Sequence, residues 1–579
     1  MILDYAEFTK LVREFADELP KILAGHDKTR DFAPQIQRLL AFAETRFTLA
    51  VVGQMRSGKS SLLNALIGAD LAVVGVNETT ATINHFTFGE GEETRRFRIH
   101  WRGRPPEDRP FKDVRDIREW VGDSEFAKET RRLEFFANTE FLKTADVVDT
   151  PGTRSLVDDH TRAINEFLAN RAQAESKEAG GGADAILYVV QAVARQSDTE
   201  MLAEFKSNTR LPDSPPHNSL AVVHKWETLE ADDPHAEAQA KTERIFQAMR
   251  DFVCGAMPVS APLAKAAESY PDAFWNSTLD LAANTPASDL ADLLLDERDF
   301  RTEACARCPL DASARNQLRA DYSTLPWPSL KVILRLAQRR VAGNPADLRS
   351  HVLEVSGLPK LRHEIRKRFF ERTEVLKMAK VLAAAWDPCQ RTQQILRNHK
   401  AELIDNLNRA EHARAVLTDR VKRDAELRSA LDFIQAGAGA MESELPRIAE
   451  NLQSIGQIVT PVRDTQLEME RDLAMLDILD QCPTAVDATT MEQLRCLFGG
   501  RNGADIVARL ASFGATGKSG VTVDDLVTAI GELRSLHRKS TSPFIQALDH
   551  AVNRLGAIAD WMETKSLREI PLTNRSQQP

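Results

Sequence analysis

The chain has 579 residues, more than one hydrophobic core accommodates, so its length predicts several domains. The formal net charge of −10 argues against nucleic acid as a partner, because phosphate backbones are bound by positive surfaces. Among the six cysteines only Cys305 and Cys308 have metal-ligand spacing, and no second pair completes a zinc site. No apolar run approaches the roughly 20 residues of a membrane-spanning helix, and a cytoplasmic protein is expected.

The first 45 residues are predicted to be helical. Apolar side chains recur there at helical spacing, which indicates a helix with one face packed on another element. We expect that element to be the C-terminal helical region. The apolar positions are Phe8, Leu11, Val12, Phe15, Leu19, Ile22 and Leu23.

A strand, a glycine-rich turn and an apolar-spaced helix follow between Arg46 and Gly68. This order is the context of a phosphate-binding loop, in which backbone amides and the helix N-terminus surround a phosphate. Lys59 is expected to reach the β- and γ-phosphate oxygens, and the Ser60 hydroxyl to bind magnesium. The residues predicted to surround the phosphates are Gly53, Gln54, Met55, Arg56, Ser57, Gly58, Lys59, Ser60 and Ser61.

Two further segments are predicted to complete the phosphate end. A threonine after the first helix can ligate magnesium and sense the γ-phosphate; Thr79 and Thr80 are the candidates, and a threonine-rich β-edge is the alternative. An apolar strand ends in Asp149-Thr-Pro-Gly152, where the carboxylate would hold the magnesium shell and the Gly152 amide would face the γ-phosphate. Thr153 stands where small regulatory GTPases carry a water-orienting glutamine, so water must be positioned by another group.

A base-binding region is predicted at the ends of two later strands. The apolar strand 219–223 ends in His224-Lys225-Trp226-Glu227, where a guanine-binding Asn/Thr-Lys-x-Asp motif would lie. The Lys225 stem would lie along the base, and Glu227 would accept hydrogen bonds from its ring nitrogen and amino group. Ser260 and Ala261 form a turn of the kind that contacts the guanine carbonyl. An ordinary strand-end lysine is the alternative.

The remaining sequence is mainly helical in pattern. Residues 266–345 are interpreted as an insertion of uncertain structure, and 346–380 as the end of the nucleotide domain with a connecting helix. Residues 381–570 show helical periodicity without a convincing strand and predict a helical bundle, followed by a polar tail at 571–579. Breaks are expected near Pro388, 435–439, 456–461, Pro483 and 499–503. A solvated basic face is expected on the connecting helix, from Arg362, Arg366, Lys367, Arg368 and Arg372.

Taken together, the order of these motifs resembles the dynamin superfamily of large GTPases, in particular the bacterial dynamin-like proteins. The resemblance covers residues 46 to about 265 by motif and 356–380 by the Ser-Gly-Leu start of the connecting helix. It implies an α/β GTPase domain at 46–265, with a mostly parallel sheet and helices on both faces, and an extended all-α bundle or stalk. GTP and Mg²⁺ are the implied ligands.

The resemblance also implies roles for single residues. Lys59 and Thr80 would be catalytic, while Ser60, Thr80 and Asp149 would bind the metal. Arg56 occupies the place where guanylate-binding proteins and atlastins carry a catalytic arginine; a solvent-facing loop arginine is the alternative.

Members of the family hydrolyse GTP after their GTPase domains pair, so a homodimer through this domain is expected. The bundle is expected to contact a membrane, which would place the protein at the inner membrane surface, or a protein partner. A cytosolic GTP-dependent switch or scaffold is the second hypothesis. The stretch 433–441 is the best candidate for a membrane-contacting segment, although its apolar character is weak.

Overall fold

The computed structural model describes residues 5–25, 27–34, 36–37, 45–53, 57–72, 83–110, 126, 129–149, 183–191, 217–250, 253–339, 343–421, 427–500, 502–503, 505–514, 520–537, 540, 542–567 and 569–571. They form two compact units. The sheet unit contains the described residues between Arg46 and Glu371. The helical unit contains those up to Thr45, beginning with α1 (Tyr5–Ala24), and those from Arg372 onward.

A nine-stranded sheet organises the sheet unit, with strands in the order β4-β3-β5-β2-β6-β1-β7-β8-β9. Its strands are β1 (Thr48–Gly53), β2 (Ile83–Phe88), β3 (Arg96–Trp101), β4 (Glu107–Pro110), β5 (Thr130–Ala137), β6 (Asp146–Asp149), β7 (Ala185–Gln191), β8 (Ser219–His224) and β9 (Ala256–Val259). The five strands from β6 to β9 in this order are mutually parallel. Strands β2 and β3 pair antiparallel with β6 and β5, so the sheet is mixed.

Parallel pairing brings the carboxyl ends of β1, β6 and β8 to one edge of the sheet. Ligands of open α/β sheets bind at this edge, outside the strand ends. Gly53, Asp149 and His224 are the last residues of these three strands. Strands β1, β7 and β8 are buried on both faces, which explains their largely apolar sequences.

Helices cover the sheet and follow its strands. They are α2 (Lys59–Ile67), α3 (Glu140–Thr144), α4 (Pro234–Met249), α5 (Ala261–Ser269), α6 (Asp272–Asn284), α7 (Ala287–Leu293), α8 (Glu297–Thr302), α9 (Ala312–Asp321), α10 (Trp327–Gln338), α11 (Pro345–Val355) and α12 (Leu358–Ile365). Side-chain caps begin several of them: Asp233 accepts from Ala236 N before α4, and Asp311 accepts from Ala314 N before α9.

The segment 266–345, of uncertain structure in the sequence, contains helices α6 to α10 of the sheet unit. Their apolar side chains, among them Phe274, Trp275 and Ile333, join a hydrophobic core that also contains Tyr188 of β7 and Val223 of β8. Burial of such large side chains contributes about 2–3 kcal/mol each. These helices therefore belong to the core that supports the parallel strands.

The helical unit is dominated by two long helices. Its remaining elements are α13 (Thr373–Val421), α14 (Arg428–Gln481), α15 (Ala488–Leu497), α16 (Ile506–Leu510), α17 (Val523–His537) and α18 (Ser542–Thr564). Helix α14 packs along α13 and also contacts α1 and α18. Along the part of the chain that the structure describes, no helix is both long and apolar enough to cross a membrane.

The breaks expected inside these long helices are wrong. Helix α13 continues through Pro388, and α14 continues through Pro446 and Pro461. A proline removes one backbone hydrogen bond, and a glycine costs about 1 kcal/mol relative to alanine. Packing of α13 along α14 offsets these local costs, because tertiary contacts supply most of a helix's stability in a protein.

The expectation of no strand in the C-terminal half is also wrong. Strands β10 (Gly520–Thr522) and β11 (Glu569–Pro571) pair antiparallel. Each has three residues, which is too short to show the alternating pattern from which a strand is recognised.

Two of the five basic residues assigned to a solvated face are buried. Arg368 donates to Glu364 at 2.7 Å and to the Cys254 carbonyl at 3.2 Å. Arg372 pairs with Asp477 and Asp480. Buried arginines need such partners, and except for Glu364 these acceptors are distant in sequence, so helical spacing alone could not identify them.

Candidate nucleotide-binding site

The phosphate loop depends on two glycines at places that exclude a side chain. A Cβ on Gly53 would collide with the Val189 carbonyl oxygen of β7. Gly58 has a φ of 93°, in the left-handed region, and a Cβ there would collide with the His224 ring. The backbone therefore approaches β7 and β8 as closely as a phosphate-binding loop requires.

Lys59 lies buried directly after this glycine, at the start of α2. Its Nζ donates to the Gly53 carbonyl oxygen at 3.1 Å. Burial lowers the pKa of Lys59, and the charge of Asp149 partly opposes that shift. The ammonium thus lies across the loop, where a phosphate group can replace the carbonyl as its partner.

Asp149 of β6 faces the same loop. Ser60 Oγ donates to Asp149 Oδ2 at 3.0 Å, while Oδ1 has no hydrogen-bond partner among the described residues. The side chain is fully buried, with 0% exposure. Burial raises the pKa of Asp149 to about 6, with Lys59 and Ser60 acting in the opposite direction. A hydroxyl and a carboxylate are hard oxygen ligands, so this pair fits magnesium.

The base end begins where β8 stops. Lys225 adopts a left-handed φ of 59°, a conformation uncommon for a residue with a side chain. A 3₁₀ turn over Trp226–Thr228 then carries Glu227, which is 4% exposed. Glu227 Oε2 has no hydrogen-bond partner in the described part of the chain. Burial raises the pKa of Glu227, and its own backbone N–H and the Ser260 hydroxyl partly offset that effect.

Ser260 and Ala261 lie beside these residues, at the junction of β9 and α5. Ser260 is buried, and its hydroxyl accepts from Leu263 N at 3.4 Å as the cap of α5. The N–H of Ala261 donates to His224 Nε2 at 3.3 Å. The fold therefore brings the predicted base residues together, and it links them to the phosphate loop through His224.

Other predicted site residues lie outside the described residues: Gln54, Met55, Arg56, Thr79, Thr80, Gly152 and Thr153. Their roles stay predictions. Ser61 lies in the first turn of α2 and is half-buried.

Sequence reasoning missed two residues that hold the site in place. Asn64 of α2 accepts from Leu71 N and Ala72 N through its side-chain oxygen and donates to the Ala72 carbonyl, which fixes the segment after the helix. The Ser356 carbonyl accepts from Ser260 N at 2.8 Å. A polar residue at an otherwise apolar helix position is the sequence signal that could have identified Asn64. The contact of Ser356 is made by its backbone carbonyl, which has no signature in the sequence.

Buried polar atoms decide what the site can hold. Nearly all such atoms in folded proteins have a hydrogen-bond partner, so an exception calls for a ligand or a functional reason. Here Asp149 Oδ1 lies at the phosphate end and Glu227 Oε2 at the base end. Together with Lys59 they fit a nucleotide with a bound cation. The fold and site define a P-loop nucleotide-binding domain.

One part of the chain matches a protein-family model. Residues 49–225 match the model described as the Dynamin family, which confirms the resemblance drawn from the motifs. The segment therefore carries a dynamin-family domain. The chain is also similar to Isoniazid-induced protein IniC of two Mycobacterium tuberculosis strains, CDC 1551 / Oshkosh and H37Rv, with 30% identity over 141 residues in each case. That match covers 23% of this chain and 26% of the relative, about a quarter of the relative's length.

Two solved structures illustrate the similarity. An oligomerised bacterial dynamin pair shares 17% identity over 80% of this chain and 80% of its own, with a TM-score of 0.30. Toc33 from Arabidopsis thaliana in complex with GDP and Mg²⁺ shares 14% identity over 44% of this chain and 82% of its own, with a TM-score of 0.23.

Proposed function

We propose that this protein is a GTPase that hydrolyses GTP with the help of Mg²⁺. One observation supports this proposal above the others: a buried carboxylate oxygen without a partner among the described residues lies at each end of the site. Asp149 provides it at the phosphate end and Glu227 at the base end. The dynamin-family match over 49–225 supports the same conclusion.

At the phosphate end each side chain has a separate role. Lys59 gives up its bond to the Gly53 carbonyl and binds the phosphate oxygens. Ser60 and Asp149, which are hydrogen-bonded to each other, would hold the magnesium ion. A bound magnesium neutralises charge on the β- and γ-phosphates. The dry surroundings of Lys59 strengthen its attraction to them, because electrostatic interactions are stronger in a low dielectric.

At the base end Glu227 selects guanine. Guanine offers the N1–H and the 2-amino group as neighbouring donors, and a carboxylate accepts both in charge-assisted hydrogen bonds. Adenine offers a lone pair at N1, which would face the buried carboxylate without a hydrogen bond. The Lys225 stem would lie along the base, as the motif predicts.

Pairing of two GTPase domains is proposed to complete the site, as the family resemblance implies. Arg56 would then neutralise charge that develops on the phosphates, an effect of about 10³ to 10⁵ in rate for such arginines. We expect Arg56→Ala to lower turnover strongly, and Arg56→Lys to recover only part of it because lysine lacks the planar fork. Unchanged turnover in Arg56→Ala would exclude this role.

The test of this function is GTP turnover per molecule across a wide series of protein concentrations, at saturating GTP and Mg²⁺. Specific activity that rises with concentration supports hydrolysis stimulated by pairing. A low rate that does not depend on concentration supports the second candidate, a GTP-dependent switch or scaffold. Lys59→Ala is the control, because turnover that survives this change comes from a contaminant.

The helical unit is proposed to contact either a membrane or a protein partner. Phe433, near the start of α14, is 80% exposed, the highest value among the exposed large apolar side chains of the described residues. We expect Phe433→Ser to weaken sedimentation with anionic liposomes if the contact is a membrane. Leu295→Ser is the matched control, since Leu295 is 76% exposed in the sheet unit. If wild type and Leu295→Ser both fail to sediment with the liposomes, the result favours the cytosolic scaffold.

A further inference from the structure

The turn at Ser260 and Ala261 is predicted to contact the guanine carbonyl. Its backbone N–H groups already donate hydrogen bonds to other residues of the chain. Ser260 N donates to the Ser356 carbonyl at 2.8 Å. Ala261 N donates to His224 Nε2 at 3.3 Å. Pro262 has no N–H. None of these three residues therefore offers an uncommitted backbone N–H to a ligand.

The next two N–H groups of α5 are also committed. Leu263 N donates to the Ser260 hydroxyl at 3.4 Å, and Ala264 N donates to the Ser260 carbonyl at 3.1 Å. Of the five positions 260–264, only the Ala261 N–H is held by a side chain from another part of the sheet unit. The residue at position 224 therefore determines whether the Ala261 N–H is occupied by a hydrogen bond within the chain.

His224 is fixed in an orientation that keeps this hydrogen bond. It is the last residue of β8 and is buried. The Nδ1–Cε1 edge of its ring packs against Gly58 of the phosphate loop so closely that a Cβ on Gly58 would collide with it. Because Nε2 accepts a hydrogen bond, the ring proton of the neutral form lies on Nδ1.

The ring also stays neutral over the physiological range. Burial, and then the charge of Lys225, lower the pKa of His224 to about 3, with the Ser57 backbone opposing the shift. A neutral ring keeps its lone pair on Nε2 at every pH at which the protein is expected to work. Protonation therefore does not release the Ala261 N–H.

We propose that His224 is a specificity-determining residue, which withholds the Ala261 N–H from the base, so that guanine is selected through its N–H groups and not through its 6-oxo group. This inference rests on the proposed GTP site. Glu227, whose Oε2 has no partner among the described residues, accepts from N1–H and the 2-amino group. The 6-oxo group receives no backbone donor from the turn at 260–264.

Dissociation constants of four nucleotides test this proposal on the full chain with Mg²⁺: GDP, 6-thio-GDP, IDP and ADP. A thiocarbonyl is a poor acceptor, so replacing the 6-oxo group weakens binding only where that group receives a hydrogen bond. In wild type the turn offers it no backbone donor, and 6-thio-GDP is therefore expected to bind within about threefold of GDP. IDP lacks the 2-amino group and is expected to bind about tenfold or more weakly, since a bond to a charged group is lost.

Two substitutions of His224 test the role of its Nε2 acceptor separately from that of the rest of the ring. His224→Leu removes the acceptor and frees the Ala261 N–H for the 6-oxo group, so the preference for GDP over 6-thio-GDP is expected to rise about fivefold. His224→Gln keeps an acceptor oxygen near the Nε2 position and is expected to retain the wild-type ratio. Because sulfur has the same size in every variant, comparing ratios cancels the effect of its bulk.

Thr278→Ala is the control for general destabilisation. Thr278 is buried in α6 and donates to the Phe274 carbonyl at 2.9 Å, away from the nucleotide. We expect it to leave the three ratios of the other nucleotides to GDP unchanged. If His224→Leu does not fold, His224→Asn takes its place, because its amide is too short to reach Ala261.

The possible outcomes are distinct. A GDP to 6-thio-GDP ratio that is the same in wild type and in the variant lacking the acceptor would overturn the role of His224. A tenfold or larger ratio in wild type that falls in that variant would overturn it as well, since the Ala261 N–H would then already bind the 6-oxo group. Equal binding of GDP and ADP to wild type would instead contradict the proposed function.

Discussion

Buried charges have different surroundings in the two units. In the helical unit Arg372, 1% exposed, pairs with Asp477 at 2.9 Å and with Asp480 at 2.5 Å. Asp472 is likewise buried, and it accepts from Arg509 and His550. These charges neutralise each other within the unit, so they link helices that are distant in sequence.

In the sheet unit two of the buried carboxylates, both in the candidate site, are incompletely paired. Asp149 and Glu227 each keep one oxygen without a hydrogen-bond partner among the described residues, and burial raises the pKa of both. An unsatisfied buried polar group costs about 1–3 kcal/mol, and more when it is charged. The paired charges of the helical unit therefore stabilise its fold, whereas the two unpaired carboxylate oxygens of the candidate site remain available to a ligand.

The largest effect on stability is expected from Arg372→Met. The change leaves the buried Asp477 without its guanidinium partner, and removing one member of a buried ion pair costs about 3–5 kcal/mol. Urea denaturation of the full chain measures the loss. Arg409→Met is the control, because Arg409 pairs with Asp405 on the exposed side of α13 and its loss should cost less than about 1 kcal/mol. Equal losses of unfolding free energy in the two variants would contradict a stabilising role for the buried ion pair.

Asp149→Asn is expected to separate function from stability. The amide cannot supply the negative charge that holds magnesium, so GTP turnover should fall about 100-fold, equivalent to roughly 3 kcal/mol. The nucleotide-free protein should keep or gain stability, since a desolvated charge is removed. Both quantities are measured on the same preparation, by phosphate release and by thermal unfolding.

A control for this variant lies on the same strand. Asp146 accepts from Arg46 at 3.0 Å and from Thr87 at 2.7 Å. We expect Asp146→Asn to lower stability while the folded protein keeps its turnover, the opposite of the Asp149 result. If Asp149→Asn behaved like Asp146→Asn, its carboxylate would be structural.

The pKa of Asp149 predicts a smaller effect of pH. Because the folded pKa, about 6, exceeds the usual 3.8, the folded state binds the proton first as pH falls. The nucleotide-free protein should therefore gain stability from pH 7 towards pH 4 through this group. Magnesium-dependent GTP binding should weaken over the same range, by about tenfold at pH 5. Both trends should be absent in Asp149→Asn, and their persistence there would assign them to another group.

The order of strand, turn and helix at the phosphate end could be predicted from the sequence because it is local. Gly58, Lys59 and Ser60 follow one strand and begin one helix, and Asp149 ends a strand that pairs with it in parallel. The dynamin-family match confirms the class deduced from these residues. Strand–turn–helix order places Gly58, Lys59 and Ser60 next to the end of β1.

Long-range pairing could not be predicted in the same way. The hydrogen bond from the Ala261 N–H to His224 depends on how β8 and β9 align, and neither sequence motif specifies that alignment. The burial of Arg372 depends on acceptors more than 100 residues away. Helix α14 continues through two prolines because of its packing, which a local rule for helix breaks cannot include. Tertiary contacts decided each of these features.

The most direct test of the account is titration of the full chain with GDP and with ADP in Mg²⁺, for wild type and for Glu227→Gln. If the buried carboxylate at the base end is retained for guanine, wild type binds GDP about 100-fold or more tightly than ADP, because two charge-assisted hydrogen bonds are at stake. The variant should lose most of that preference. Equal binding of the two nucleotides by wild type, or an unchanged preference in Glu227→Gln, would contradict the account.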